Sequence, residues 1–344
     1  MTNFAEHIPA ERLTTMKCGG TVRYFAQPKT LEELHEALTE AKSLGLVSIL
    51  GGGSNRIFPD DEFPGVVIQP LLTEITLVEL PELSNVRAEG RYLAEGEQFL
   101  RLQEGQIASG EKRGVEMGAG VPWGQAVTWS ISHNLAGLEH YARIPCRVGG
   151  AVYNNIHAAQ HLLSEQIAGV WALNPETLEE VFYTGEDLAF GYDQSRFHTS
   201  NEIITKVVFA LTEVSAEISK NNLSQYLAWT AEKGRVQPTG PNSGSVFQNL
   251  RPEEAAAIGE TALAAGWYVD QCGFKGESVG GMQVYPGHGN FIVNTGGGTQ
   301  ADFIALVIKI RAAVYARWGL NLQPEVQCLQ ADGKDFAWPT NHSA

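Results

Sequence analysis

The sequence predicts a mixed α/β protein that opens on a strand–helix–strand unit and continues as short β runs separated by glycine-rich turns. Three observations carry that prediction. Thr30-Leu31-Glu32-Glu33 is a capping box, and Leu31, Leu34, Ala37, Leu38, Ala41 and Leu44 fall on one helical face that Gly45 closes. The flanking apolar runs, Val22–Ala26 and Val47–Leu50, read as strands, which makes the opening a compact α/β unit. Beyond them, residues 66–120 alternate short β runs with turns, and glycine-rich loops recur through the same half of the chain.

The later elements follow from the same signals. Arg87 to Arg113 is charged and rich in glycine, as an exposed hairpin or insertion would be. A helix is expected around Trp123–His133, after Gly118-Ala119-Gly120, with strands near Val170–Leu173 and Ile203–Thr212. Residues 222–234 read as helical, and Pro238 to Pro241 marks a boundary. One further helix is expected over Glu253–Ala265. Another runs from a Thr299 cap, with Asp302 as its N3 acid, to Trp318. Residues 331–344 read as a loose tail, and there is no internal repeat.

The segment most telling about chemistry is Ser48-Ile49-Leu50-Gly51-Gly52-Gly53-Ser54-Asn55-Arg56-Ile57-Phe58. A strand runs into three glycines and two small polar residues. Glycine permits positive φ and close backbone approach, and successive N–H groups in such a turn form an anion-binding concavity. Gly51, Gly52, Gly53, Ser54 and Asn55 thus suit a diphosphate, with a dinucleotide as occupant. The spacing is not the Rossmann G-x-G-x-x-G, and Pro59-Asp60-Asp61 turns where that motif needs a helix.

Composition bounds the function. The chain has 344 residues, 43% hydrophobic, with 37 glycines and a net charge of −15. That charge argues against nucleic acid as a partner and against an anionic membrane surface, although a local basic cluster could still hold an anionic substrate. Cys18, Cys146, Cys272 and Cys328 are scattered, unlike a disulfide framework or a metal site. No signal-peptide pattern opens the chain and no apolar run has the length of a membrane span, so a cytoplasmic protein is expected.

A series of further motifs then resembles one family in order. Gly137-Leu138-Glu139, Ile144-Pro145 and Val148-Gly149-Gly150-Ala151 follow the first glycine loop. Phe190-Gly191-Tyr192 and Ser195-x-Phe197 come next, then Gly244-Ser245-x-Phe247-x-Asn249. Asp270 to Gly276, His288-Gly289-Asn290-Phe291-Ile292-Val293-Asn294 and Leu322-Gln323-Pro324-Glu325-Val326 complete the set. From about residue 14 to 327 the chain is similar to the UDP-N-acetylenolpyruvoylglucosamine reductases (UDP-N-acetylmuramate dehydrogenases), flavoenzymes of bacterial cell-wall synthesis.

The resemblance implies a two-subdomain FAD-binding unit of the vanillyl-alcohol-oxidase type and a smaller C-terminal α/β substrate domain. It divides the chain into residues 1–69, 70–236 and 237–320, with 321–344 returning to the active site. It implies NADPH as donor, hydride transfer through flavin to an enolpyruvyl double bond, and a nucleotide-sugar substrate. It further implies a monomer or weak dimer. FAD contacts fall on Gly51–Asn55, Gly118, Gly120, Ile144, Pro145, Cys146, Val148, Gly149, Gly150 and Ala151. By the same resemblance Ser245 gives the proton, Glu325 lies beside the enolpyruvyl carboxyl, and Lys275 offsets substrate charge. Tyr192, Asp193, Asn249, His288 and Arg235 would line the substrate.

Several positions depart from the family pattern. Asp193 stands where an arginine is expected to bind the substrate carboxylate, and like charges at close range in a low-dielectric site repel strongly. Arg196 lies three residues on, at a distance a strand would not bridge. Cys146-Arg147, His157-Ala158-Ala159-Gln160 and Gln248 also differ, and Arg235 or Lys233 imperfectly replaces a lysine before the serine loop. A changed substrate, hence a paralogous flavin oxidoreductase, is the alternative reading; a flavin protein without catalysis is a third. His157 and His161 have the i, i+4 spacing of a helical metal pair but lack a third ligand. Cys146 sits where some related flavin folds bond covalently to FAD, or is a small buried thiol filling a glycine's place.

Overall fold

The computed structural model describes residues 2–81, 111–158, 161–232 and 237–340. The opening unit forms as expected. Strands Ala5–Pro9, Thr21–Ala26, Phe63–Ile68 and Val47–Ile49 make one sheet in that order; the last two junctions are parallel. Helix Leu31–Leu44 covers it, with the Thr30 hydroxyl accepting the Glu33 N–H. Leu34, Ala37, Leu38 and Ala41 pack on Ala26, Val66 and Ile68.

A second, antiparallel sheet is built on the long strand Ile203–Glu213. In order it holds Glu180–Tyr183, Ile167–Leu173, Ile203–Glu213, Lys112–Gly118 and Ile75–Val78; Leu135–Ala136 pairs the end of the long strand. Helices Trp123–Ser132 and Val148–Tyr153 pack on its inner face through Trp123, Val127, Val148, Ala151 and Val152. A third sheet orders Asn242–Ser245, Phe291–Asn294, Met282–Val284 and Ser278–Val279. Helix Gln300–Trp318 closes over it with Phe303, Leu306, Val307, Ile310 and Val314, and its capping box at Thr299 and Asp302 forms as read from the sequence.

Three local expectations are corrected. The helix expected over 253–265 is two short ones, Pro252–Ala257 and Ala265–Gln271, because Gly259 takes φ +75° and ends the first. The tail is not loose through its described part: the Phe336 N–H donates to Cys328 O at 2.7 Å and Arg311 donates to Pro339 O at 2.7 Å. The helix expected at 222–234 begins earlier and is described over Ala216–Glu232. Of the charged 87–113 segment, residues 87–110 lie outside the described residues, and Lys112 and Arg113 begin a strand.

Candidate active site

The first glycine loop leaves the strand Val47–Ile49 and reaches the two-residue strand Arg56–Ile57, which pairs in parallel with Gln327–Cys328. Gly53 has φ +69°, and a Cβ there would stand 2.0 Å from Leu13 O. Among the described residues none of the backbone N–H groups from Gly51 to Asn55 has a backbone acceptor. Five consecutive donors, bent by glycine, fit the diphosphate of a dinucleotide.

The second loop packs directly against the first. A Cβ on Gly52 would meet Cys146 Cα at 3.1 Å, and one on Gly149 would meet Ala119 Cβ at 2.9 Å. Gly150 has nothing within 4 Å of a Cβ position and faces open space. Cys146 is half-buried on the cavity wall, and desolvation raises its thiol above the ordinary range. Glu139 is buried as well, its carboxylate accepting from Gly137 N–H and the Asn222 amide.

The third block makes a tight turn. Gly191 and Gln194 exchange backbone hydrogen bonds, and Tyr192-Asp193 form the two-residue tip, with Asp193 at φ +52°. Buried Asn155 anchors the turn, donating to Gly191 O at 2.8 Å while its Oδ1 accepts from Ser164 N–H at 2.8 Å. Asp193 Oδ1 lies 3.0 Å from His157 Nδ1, and the Tyr192 hydroxyl lies 3.0 Å from His157 Nε2. Asp193 Oδ2 is buried with no hydrogen-bond partner. Burial, then the charges of Asp193 and Glu325, push the Tyr192 hydroxyl up, so it stays protonated.

The fourth part comes from the third sheet. Ser245 ends the strand Asn242–Ser245, placed opposite Phe291. The chain from Pro324 to Val326 runs beside it: Glu325 N–H donates to Val246 O at 2.8 Å, and the Asn55 amide donates to Glu325 O at 3.1 Å. That last bond ties the glycine cradle to the acid. Burial of the Glu325 carboxyl, followed by the negative charge of Asp193, raises it well above the carboxylate range, which favours its protonated form.

All four parts open onto one cavity of about 810 Å³, lined among others by Gly51, Ser54, Gly150, Asp193, Ser245 and Glu325. Two glycine loops shaped to admit a dinucleotide, with a hydroxyl and a carboxyl on the same cavity, suit a flavin held beside a substrate that needs a proton.

Comparison with known proteins agrees. The profile for the UDP-N-acetylenolpyruvoylglucosamine reductase C-terminal domain matches residues 237–329, and that of an FAD binding domain matches 93–177. The UDP-N-acetylenolpyruvoylglucosamine reductase of Ralstonia nicotianae is 30% identical, covering 93% of this chain and 97% of its own. That of Geobacter metallireducens is 31% identical, covering 93% and 91%. The chain belongs to the UDP-N-acetylenolpyruvoylglucosamine reductase family. It is a flavin-dependent oxidoreductase with FAD as cofactor. The crystal structure of the Thermus caldophilus reductase superposes with a TM-score of 0.70 at 25% identity, covering 95% of this chain and 99% of that one.

Within this reductase-family fold, the expected residues divide. Gly51, Gly53, Ser54, Asn55, Ile144, Pro145, Cys146, Gly149, Gly150, Asp193, Ser245 and Glu325 line the cavity. Gly52 seats the second loop, as above. Gly118 and Gly120 serve close packing, since a Cβ on either would strike the backbone of residues 71–72. Val148 and Ala151 are buried in the core. Lys275 is not brought to the cavity: its ammonium pairs with Asp270 at 2.8 Å on a partly exposed surface. His288 also stays outside the lining, its Nδ1 accepting from Asn290 N–H. Asn249 accepts from Ala265 N–H at the start of a helix and bonds the Tyr192 hydroxyl, which itself lies just behind the lining. Arg235 lies outside the described residues.

The departures resolve physically. Arg196 turns away, bonding Glu202 and Asp187 O and stacking on Tyr183 at 3.6 Å. His157 and His161 are not on a helix: they sit on antiparallel strands, His161 facing Ala158 and Leu162 facing His157. No metal-type cluster occurs among the described residues. What sequence reading missed is that His157 meets Asp193 and that Asn155 holds the turn. Both departures were visible, but nothing in a linear sequence joins residues 36 apart. Phe336 and Trp338 also line the cavity; two aromatics in an apparent tail were the available signal.

Proposed function

We propose that this chain reduces the enolpyruvyl ether of UDP-N-acetylglucosamine-enolpyruvate to the lactyl ether of UDP-N-acetylmuramate, with NADPH as donor, in the cytoplasm. The observation that carries the reading is Ser245 and Glu325 facing one cavity with the glycine cradle. When bound, FAD would supply hydride transfer between the nicotinamide and the double bond. The N–H groups of Gly51–Asn55 hold its diphosphate, and the Gly149-Gly150 loop lets it approach the backbone. Ser245 delivers the proton to the carbon beside the one that receives the hydride; such a weak acid works only on a basic enolate and in a fixed pose. Glu325, carrying its proton, donates to the substrate carboxyl as charge develops there. Residues 237–320 are taken as the substrate domain, after flavin subdomains 1–69 and 70–236, with 321–344 carrying Glu325 back to the site.

The buried, unpartnered Asp193 Oδ2 favours a second reading, a related oxidoreductase whose substrate presents a donor there instead of a carboxylate. Incubation with NADPH and UDP-N-acetylglucosamine-enolpyruvate in D2O separates them. The first reading expects reduced product carrying solvent deuterium on the carbon that Ser245 protonates, and a second deuterium wherever the flavin N–H exchanges before hydride transfer, read by mass spectrometry. No product from this substrate would sink it.

A further inference from the structure

The lining of the cavity holds three basic side chains among the described residues: Arg56, His157 and His198. Arg56 pairs with Asp335 at 2.8 Å. His198 accepts the Ser195 N–H at Nδ1, and burial holds it below the ordinary imidazole range, so it is neutral. His157 is different: a carboxylate sits on one ring nitrogen and a hydroxyl on the other, both at 3.0 Å.

That arrangement serves two protonation states without moving a heavy atom. With the neutral ring, Nδ1–H donates to Asp193 and Nε2 accepts the Tyr192 O–H. With the charged ring, Nε2–H donates to the Tyr192 oxygen beside the Asn249 N–H groups that already donate there, and the hydroxyl proton rotates off the ring. In the neutral state this end of the cavity carries the Asp193 charge, Glu325 being protonated. In the charged state it carries none. A substrate carboxylate entering beside Asp193 meets repulsion from the first state and not from the second.

We propose that His157 takes up one proton from solvent when the substrate carboxylate binds, so that the Asp193 charge is neutralised and no longer repels that carboxylate. The inference rests on the carboxylate-bearing substrate proposed above and goes beyond it, since it makes binding depend on pH near neutrality. The groups facing His157 are Asp193 and Tyr192 on the turn, with Glu325 beyond Tyr192 and His198 beyond Asp193. Across its strand pair stands His161, bonded to Glu165 and stacked on His140, with Glu139 on the packed turn behind.

The test uses the oxidised FAD-loaded protein without NADPH. It is titrated with UDP-N-acetylglucosamine-enolpyruvate between about pH 5.5 and 8.5, following the flavin spectrum, with calorimetry in buffers of different ionisation enthalpy. Wild type is expected to take up close to one proton per site, with Kd rising toward about tenfold per pH unit at the alkaline end. His157→Gln, retaining FAD, should bind weakly and without that slope. Asp193→Asn should move the transition to lower pH, because the counter-charge is gone. UDP-N-acetylglucosamine, which lacks the carboxylate, should bind independently of pH. Tight binding that is flat with pH overturns the coupling and leaves the proposed reaction standing. A slope that survives in His157→Gln assigns the proton to another group and overturns it too. No binding at any pH overturns the proposed reaction and the coupling together.

Discussion

Ser245 and Glu325 reach the cavity from neighbouring stretches of backbone, Glu325 N–H bonding Val246 O, so their separation is set by main chain rather than by loop chance. Ser245→Ala should therefore spare flavin reduction by NADPH while slowing substrate reduction by about 10²–10⁴-fold; equal loss in both half-reactions, followed in a stopped-flow cell, would deny it the proton-donor role. Asn155 tests the scaffold under the Asp193 turn. Both ends of its buried amide are bonded, so Asn155→Ala leaves the Ser164 N–H without its partner and the Gly191 carbonyl with only the Gln194 N–H. A loss of about 1–3 kcal/mol in urea unfolding is expected.

At the scale of elements, the two glycine loops make opposite predictions. Gly53→Ala drives a Cβ into Leu13 O at positive φ, so both stability and FAD retention should fall. Gly150→Ala meets nothing in the protein, so the apoprotein should melt unchanged while FAD is held less well, read from flavin absorbance per protein. The turn Glu139–Tyr141 adds a pH dependence. Burial, then the neighbouring His161, lowers His140 to about 4 from its ordinary 6.5. The unfolded chain therefore binds a proton that the folded chain refuses between those values, and stability falls as pH drops through that window, by up to about 3 kcal/mol. Buried Glu139 is shifted up and works in the opposite sense. The slope lost in His140→Phe, measured as Tm against pH, isolates the histidine; an unchanged slope would remove it from the explanation.

These elements were legible to different degrees. Helices with a cap and a strong apolar face, 31–44 and 300–318, could be read almost to the residue because local chemistry sets both ends. The helix expected over 253–265 was not legible in the same way: alanine-rich propensity runs through Gly259, and only the tertiary setting shows that the chain turns there. In the site, the glycine run was readable from the residues themselves, whereas Ser245 and Glu325 stood out only through the family resemblance. Lys275 stands outside the lining, paired with Asp270, a contact that the motif does not reveal. The Asp193–His157 contact needed the fold.

On the scale of the whole molecule, the first and third sheets are locked together around the cavity. Thr15 Oγ1 donates to Asn242 O at 2.6 Å, the Asn294 amide reaches Met16 O and Lys17 O, and Gln300 bonds Ile57 O and Leu329 O. The last described residues complete this lock, with Trp338 on the cavity wall and Pro339 O on the buried Arg311 guanidinium. Deleting residues 336–344 should accordingly lower both Tm and FAD affinity, whereas a true loose tail would change neither.

The measurement that tests the central claim most directly is an anaerobic two-step experiment on the FAD-loaded protein. NADPH should bleach the flavin absorbance, and UDP-N-acetylglucosamine-enolpyruvate should then restore it within the turnover time. Bleaching that this substrate does not reverse, at acid as well as neutral pH, would contradict the proposed reaction.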